Sequence, residues 1–508
     1  MRTHWSLRVL LRLAVALAAV SSPVPARAAE ATAGHDTPAP DWPAAATRTR
    51  TLLAELIAAD TSNPPGNEAR AAAIGARRLK AAGIPFEILE FAPGRANLVA
   101  RLRGSGRARP LLLLAHSDVV GTEGQTWAHP PHQLTESDGY LYGRGSDDDL
   151  GMAAVELETL LLLHAAGVPL ARDVILAWTG DEESGGDGIR WLLEHRPDTI
   201  DAAIAINEGG GLRLDARGRP QTIELQTAEK TYQDFTLRAS GTTGHSSVPL
   251  ADNAIVRLAR AVGRVGNHTF PARLLPVTRA YFAARAASEE GAAADAMRLL
   301  AATSFGPLPE PALGQLEVNP VMRANLRTTC VPTLLRGGTR VNALPASAEA
   351  VVNCRILPDE TPADVQAALV ALVGDSGIEI VPSDEFGHGE PSPTDGILPA
   401  ALGRVVAARW PNVEIVPFMS RGASDSRFLR ARGVAAYGVS PIGITEADAQ
   451  RAHGIDERIP AASLQPALEM LYALVVDLAA GPGAVDDPAA PAGRAPDKKV
   501  SAGGGDSR

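Results

Sequence analysis

The sequence holds two cysteines, few aromatics and no excess of positive charge. With Cys330 and Cys354 alone it contains neither a disulfide-dense scaffold nor a cysteine-rich zinc module. Aromatic residues make up 4% of the chain, and no function follows from that. The 48 Lys and Arg against 58 Asp and Glu give a formal net charge of −10. That balance argues against nucleic-acid binding, which favours basic stripes. Past the N-terminus no stretch reads as long and apolar enough to span a bilayer, so no stable membrane anchor is expected. What is present is ordinary for a soluble globular protein: 45% hydrophobic and 21% charged residues exclude wholesale disorder. A length of 508 residues suggests two to four domains.

The first 28 residues read as an address. Arg2, Arg8 and Arg12 precede a short apolar run from Leu13 to Val20, Pro23 and Pro25 break it, and Ala26-Arg27-Ala28 has the small-x-small form of a cleavage site. The run is too short for a membrane anchor. Removing residues 1–28 takes away four Arg and no acid, so the formal charge moves from −10 to −14. An exported protein, periplasmic or extracellular, is expected, in a compartment where disulfides form.

Residues 29–45 read as a linker. Residues 46–60 carry Leu52, Leu53, Leu56 and Ile57 at helical spacing, and Glu68 to Ala82 reads as a second helix. Buried strands are expected at 110–116, 173–179 and 202–207, with another strand from Asn97 and a helix from Met152 to Ala166. Strands alternating with helices predict an α/β fold with a mainly parallel, helix-covered sheet. From residue 231 the pattern changes. Alternating segments at 232–238, 327–335, 348–356 and 378–381, with helices at 254–265 and 363–372, predict an inserted α+β layer. Residues 275–320 fit it poorly and read as a helical excursion. The expected division is a catalytic domain at 46–230 and 391–480, an insert at 231–390, and a disordered tail at 481–508.

The informative polar residues stand just after the apolar strands. They are His116 and Asp118, the acidic run Asp147 to Asp149, Glu182 and Glu183, Glu208, and His453 near the C-terminus. Ligand sites in open α/β sheets form at the carboxyl ends of strands. Carboxylates gathered there repel one another unless a cation neutralises them. Imidazole with carboxylate suits Zn, Mn or Co, and two such ions sharing a carboxylate form a hydrolytic centre. Each element alone carries little weight. An acidic run is usually a solvated helix start, and paired glutamates on a loop are usually surface.

The ordered set resembles the co-catalytic dinuclear zinc peptidase family of aminoacylase, carboxypeptidase S, glutamate carboxypeptidase and succinyl-diaminopimelate desuccinylase. The likeness spans roughly residues 46–480 through Thr61 to Gly66, Ala115-His-Ser-Asp118, Tyr142 to Asp148, Gly180-Asp-Glu-Glu183, Asn207-Glu-Gly-Gly210, Gly244-His245, Asn342 to Pro345, Arg355 to Pro358 and His453 to Arg458. Asn207 to Gly210 and Gly338 to Pro345 look most like the carboxypeptidase S branch. The resemblance implies that Asp148 bridges two divalent ions, zinc before manganese or cobalt. His116 and Glu208 would complete one site, Glu183 and His453 the other. Glu182 would be the general base, and Asp118 would orient His116. On an inserted lid, which often dimerises, His245 would stabilise the oxyanion while Asn342 and Arg355 hold the substrate's polar groups. A guanidinium fork suits a carboxylate. Asp425 matches a substrate-side loop. Leu150 departs from the lysine many members have there, which bears on local packing or substrate choice. The activity implied is hydrolysis of an amide beside a free carboxylate, in peptides or N-acyl amino acids. The alternatives are a deacylase of a non-peptide amide and a silent relative that only binds.

Cys330 and Cys354 stand opposite each other if strands 327–335 and 348–356 pair as a hairpin about residue 342. The pair is then either a disulfide or two small buried thiols, and strand register decides between them.

Overall fold

The computed structural model describes residues 39–485, apart from 305, 384–386 and the side chain of Ser288. The expected leader at 1–28, and the expected tail beyond residue 485, lie outside the described residues.

Helix α1 (Trp42–Ala58) starts earlier than its apolar spacing suggests. Asp41 caps it by accepting the Ala44 N–H at 3.1 Å, and Pro43 sits in the first turn. Residues 42–45, expected as linker, are therefore helix. Next come α2 (Glu68–Ala82), β1 (Phe86–Ala92), β2 (Arg95–Leu102), β3 (Leu111–His116), α3 (Leu150–Ala165), β4 (Val174–Thr179), α4 (Asp187–His195), β5 (Ile204–Leu214) and β6 (Pro220–Glu229). The following segment holds β7 (Thr231–Ser240), α5 (Ala254–Asn267), α6 (Pro276–Ser288), α7 (Ala292–Ala302), α8 (Glu310–Glu317), α9 (Pro320–Leu326), β8 (Thr329–Gly337), β9 (Ser347–Ile356), α10 (Pro362–Val373) and β10 (Ile378–Pro382). The chain closes with α11 (Ile397–Arg409), β11 (Glu414–Ser420), α12 (Ser426–Ala431), β12 (Ala435–Thr445) and α13 (Leu464–Ala479).

Eight strands form the large sheet in the order β11-β6-β12-β5-β3-β4-β2-β1. Its centre, β12-β5-β3-β4, is parallel. The flanks are not: β2 and β1 run antiparallel at one edge, and β6 is antiparallel to β12 and β5. Side chains of β3 alternate between two apolar layers. Leu111, Leu113 and Ala115 join α1, α2, α3 and α13 on one face. Leu112 and Leu114 join Ile189 and Leu192 of α4 and Phe428 and Leu429 on the other. That two-sided burial explains the unbroken apolar run in the sequence. One expectation fails here: the helical stretch Ala461–Ala479 is long and apolar enough to cross a bilayer. Half of it is buried inside the fold, where Leu464, Leu468, Leu471 and Leu474 pack in the core.

The smaller sheet, β8-β9-β7-β10, is antiparallel throughout and follows the expected strand-helix-strand-strand-helix-strand order. Phe235, Leu237, Leu258, Val352 and Leu369 form its apolar layer. Helices α6 to α9 are the helical excursion, packed around Phe282, Met297, Leu300 and Leu316. They also lean on the large sheet, where Leu275 and Val277 meet Ala228 and Met419. Cys330 pairs with Cys354 across β8 and β9 and the two form a disulfide, with Cα atoms 4.0 Å apart. The register shifts between Pro332 and Leu334, on the turn side of the cysteines, so the pairing about residue 342 holds where they sit.

Candidate active site at the strand ends

The carboxyl ends of β3, β4 and β5 bring five sequence-predicted groups together. His116 is the last residue of β3, Glu182 and Glu183 follow β4, and Asp148 lies just before α3. Glu208, expected after its strand, lies within the longer β5, where that strand has parted from β3. His453 enters from the loop after β12 with a left-handed backbone, φ +62°.

Asp148 is the centre of the cluster. His116 Nε2 is 3.0 Å from one of its oxygens, and His453 Nε2 is 3.0 Å from the other and 3.1 Å from Glu183. Donor atoms of His116, Asp148 and Glu183 lie within 4.8 Å of one another, as do those of His116, Glu182 and Glu208. The His116 Nδ1–H donates to the carbonyl of Asp118 at 2.9 Å. A carbonyl only accepts, so in the neutral ring Nε2 presents a lone pair toward Asp148. Two acceptors at 3.0 Å need a proton or a cation between them. The charges say the same. Burial opposes charge on His116, yet Asp148, Glu182 and Asp149 hold its pKa well above the usual imidazole value. Asp148 and Glu183 push His453 up to about 10. Burial and mutual repulsion raise the carboxyls of Glu182 and Glu208 well above the ordinary range. One oxygen of Glu183 is buried without a hydrogen-bond partner. This donor set, with surplus negative charge and imidazole nitrogens aimed inward, fits divalent metal ions.

Asp118 contacts His116 through its backbone. Its backbone carbonyl, not its carboxylate, receives His116 Nδ1; the carboxylate stands 3.7 Å away. The carboxylate instead accepts the N–H groups of Glu182 at 3.1 Å and Glu183 at 3.3 Å, and the Asn63 amide at 2.9 Å. It thereby fixes the loop that carries both glutamates. The same loop has Asp181 at φ +68°, held by Asn63 at 3.0 Å and by Arg95 at 2.7 Å. Arg95 also pairs with the buried Glu68. Asp425 is 1% exposed and accepts the Thr179 hydroxyl at 2.7 Å. Burial, only partly offset by that bond, pushes its carboxyl up to about 6. One oxygen thus supports the end of β4, and the other is buried without a hydrogen-bond partner among the described residues.

The three residues expected on the insert stand apart from this cluster. His245 and Asn342 are exposed neighbours: His245 pairs with Ala343, and the Asn342 carbonyl accepts the Ser246 N–H at 3.1 Å. No contact joins either to the cluster within the described residues. Arg355 is half-buried over the Tyr232 ring, 4.5 Å from its centroid, and donates to the Arg421 carbonyl at 3.4 Å. It has no carboxylate partner among the described residues.

Residues 112–477 match the model of peptidase family M20/M25/M40. The chain is 30% identical over 379 residues to the N-fatty-acyl-amino acid synthase/hydrolase PM20D1 of Homo sapiens, covering 72% of this chain and 74% of that protein. It is 25% identical over 445 residues to Aminoacylase-1 of Homo sapiens, covering 86% and 97%. Among solved structures, the M20 family metallo-carboxypeptidase Sso-CP2 of Sulfolobus solfataricus superposes with a TM-score of 0.63 at 18% identity, covering 84% of this chain and 98% of that one.

Proposed function

The chain belongs to peptidase family M20/M25/M40, and from that premise we propose hydrolysis of an amide bond beside a free carboxylate, in a peptide or an N-acyl amino acid. In this reading His116, Asp148 and Glu208 hold one divalent ion, and Asp148, Glu183 and His453 hold a second. Zinc suits this mixture of imidazole and carboxylate best, and manganese and cobalt share the preference. When bound, such ions acidify water and polarise a carbonyl. Glu182, next to the ligand Glu183 and raised in pKa by burial, takes the proton of the attacking water. It then delivers that proton to the leaving amine nitrogen. The C–N bond breaks, a C–O bond forms, and two products leave: an acid and an amine.

The single observation that carries this reading is Asp148 with an imidazole on each of its oxygens. Arg355, free of carboxylate partners and set over Tyr232, supports a clamp for the substrate carboxylate. The lid comprises β7 to β10 with α5 and α10. His245 and Asn342, away from the cluster in one chain, reach a substrate by lid movement or from a second copy. Val331, Leu334 and Leu335 are exposed on edge strand β8, and Ile255 and Val256 on α5; together they support pairing of two lids. The leader read at 1–28 supports export.

The test is a panel of N-acyl amino acids and dipeptides, each with a free or amidated C-terminus. Only free-carboxylate members should be cleaved, and Glu182→Gln should lose on the order of 10²–10⁴ in rate while keeping its metal. Equal cleavage of amidated substrates would overturn the Arg355 clamp, and an active Glu182→Gln would overturn the base.

A further inference from the structure

Arg144 and Glu457 take no part in the chemistry above, yet they connect two of its ligands. Both are buried, at 1% and 0% exposure. Arg144 Nη1 pairs with Glu457 at 2.5 Å. The other oxygen of Glu457 accepts the backbone N–H of Asp147 at 2.9 Å and of Asp148 at 3.1 Å. Arg144 Nη2 donates to the backbone carbonyl of His453 at 3.1 Å. Gln125 Nε2 donates to that same carbonyl at 3.2 Å. The Gln125 side-chain oxygen is in turn held by Arg144 at 3.2 Å and by the Trp127 ring N–H at 2.9 Å. The guanidinium lies 5.1 Å from the centroid of the Trp127 ring.

These contacts tie the backbone of Asp148 to the backbone of His453, across more than 300 residues of sequence. His453 needs such a tie. Its side chain is half-exposed, and its backbone sits in the left-handed region that non-glycine residues seldom adopt. His116 and Glu208 receive nothing from this network: His116 is fixed by the Asp118 carbonyl.

We propose that Arg144, Gln125 and Glu457 are positioning residues: Arg144 and Gln125 hold His453, assigned to the second ion alone, while Glu457 also holds the backbone of Asp148, which both ions share. The inference rests on the ligand assignment under Proposed function. Partners that orient metal ligands typically set affinity by a factor of about 10 to 100. The two ions then differ in retention: the first has His116 and Glu208, which the network does not touch, and the second depends on His453, held by a network that includes Gln125 of the 119–133 loop.

The experiment measures zinc bound per chain in the full-length protein across zinc-buffered solutions, with unfolding midpoints recorded alongside. Gln125→Ala should lose one zinc of two at about 10- to 100-fold higher free zinc than the wild type, and Glu457→Gln, which also loosens Asp148, should weaken both. In Gln125→Ala the other zinc should titrate unchanged, and added zinc should restore activity. Should Glu457→Gln fail to fold, Gln125→Ala, which leaves no charge buried, carries the test. Parallel loss of both ions in Gln125→Ala, or retention of both at wild-type affinity in both variants, would overturn the positioning role. His453→Ala separates the two levels: if it retains both zincs as tightly as the wild type, the ligand assignment fails first.

Discussion

Lys230 joins β6 to β7, where the chain passes from the large sheet to the smaller one. Its side chain is 1% exposed. Its ammonium donates to the Arg327 carbonyl at 2.7 Å and reaches Thr329 at 3.5 Å. Burial, with repulsion from Arg355 and Arg421 outweighing attraction to Glu360, lowers its pKa from 10.5 to about 7. Below about pH 7 the folded and unfolded chains both carry this proton, and folding bears the full cost of burying the charge. Above about pH 10.5 neither carries it, and the cost is gone. Between those limits the unfolded chain binds one more proton, so stability rises with pH by about 1.4 kcal/mol per unit. Lys230→Met abolishes that slope. It also leaves the Arg327 carbonyl unpaired, a pH-independent loss of roughly 1–3 kcal/mol. The slope, not the intercept, is therefore the observable. Urea unfolding of both proteins at several pH values gives the difference, and every other titrating group cancels. From about pH 8 to about pH 9.5 the wild type should gain about 2 kcal/mol on the variant. Parallel curves would refute the reasoning and show that water reaches the ammonium in the folded protein.

Two further outcomes follow from packing. Arg430 and Glu229 form a buried pair at 2.9 Å, and Glu229 also accepts from the Ser424 N–H at 2.8 Å. Arg430→Met should cost roughly 3–5 kcal/mol in denaturant unfolding by stranding the carboxylate, and adding Glu229→Gln should recover much of it; a single-variant loss under about 1 kcal/mol would sink the argument. Replacing Cys330 and Cys354 together by serine frees a 24-residue span, and should cost roughly 3 kcal/mol and bring earlier proteolysis near β8. An unchanged unfolding midpoint and cleavage pattern would count against it.

The elements legible in the sequence were those whose burial left a single pattern. Strands β3 and β4 read clearly because both faces are covered, and α2 because its ends are marked. β12 went unread although it is central. Gly438, Pro441 and Gly443 break any strand pattern, and the ladder is irregular there. The glycine has a tertiary cause: a Cβ at 438 would lie 2.3 Å from the Glu208 carbonyl. Edge strand β1 was missed because it is mostly half-exposed and charged. The five positions proposed as ligands were legible as an ordered set of motifs. The groups that hold them were not. Arg95 and Glu68 act on Asp181 from distant elements, and Asp118 reaches the glutamate loop through a geometry that no spacing encodes. Arg144 and Glu457 lay inside recognised motifs, but their partnership spans 313 residues.

The position of β12 also dictates when the protein can close. The large sheet places it between β5 and β6, so the strand that ends at Leu214 waits for one that begins at Ala435. Those residues are 221 apart, and synthesis at about 5–20 residues per second makes the wait roughly 10 to 45 s. Throughout that interval residues 204–207 of β5 lack their partner on the β12 side, since β6 pairs only with residues 211–214. Fragments ending before residue 435 leave that edge open, while the smaller sheet needs no residue beyond 382 for its own pairing.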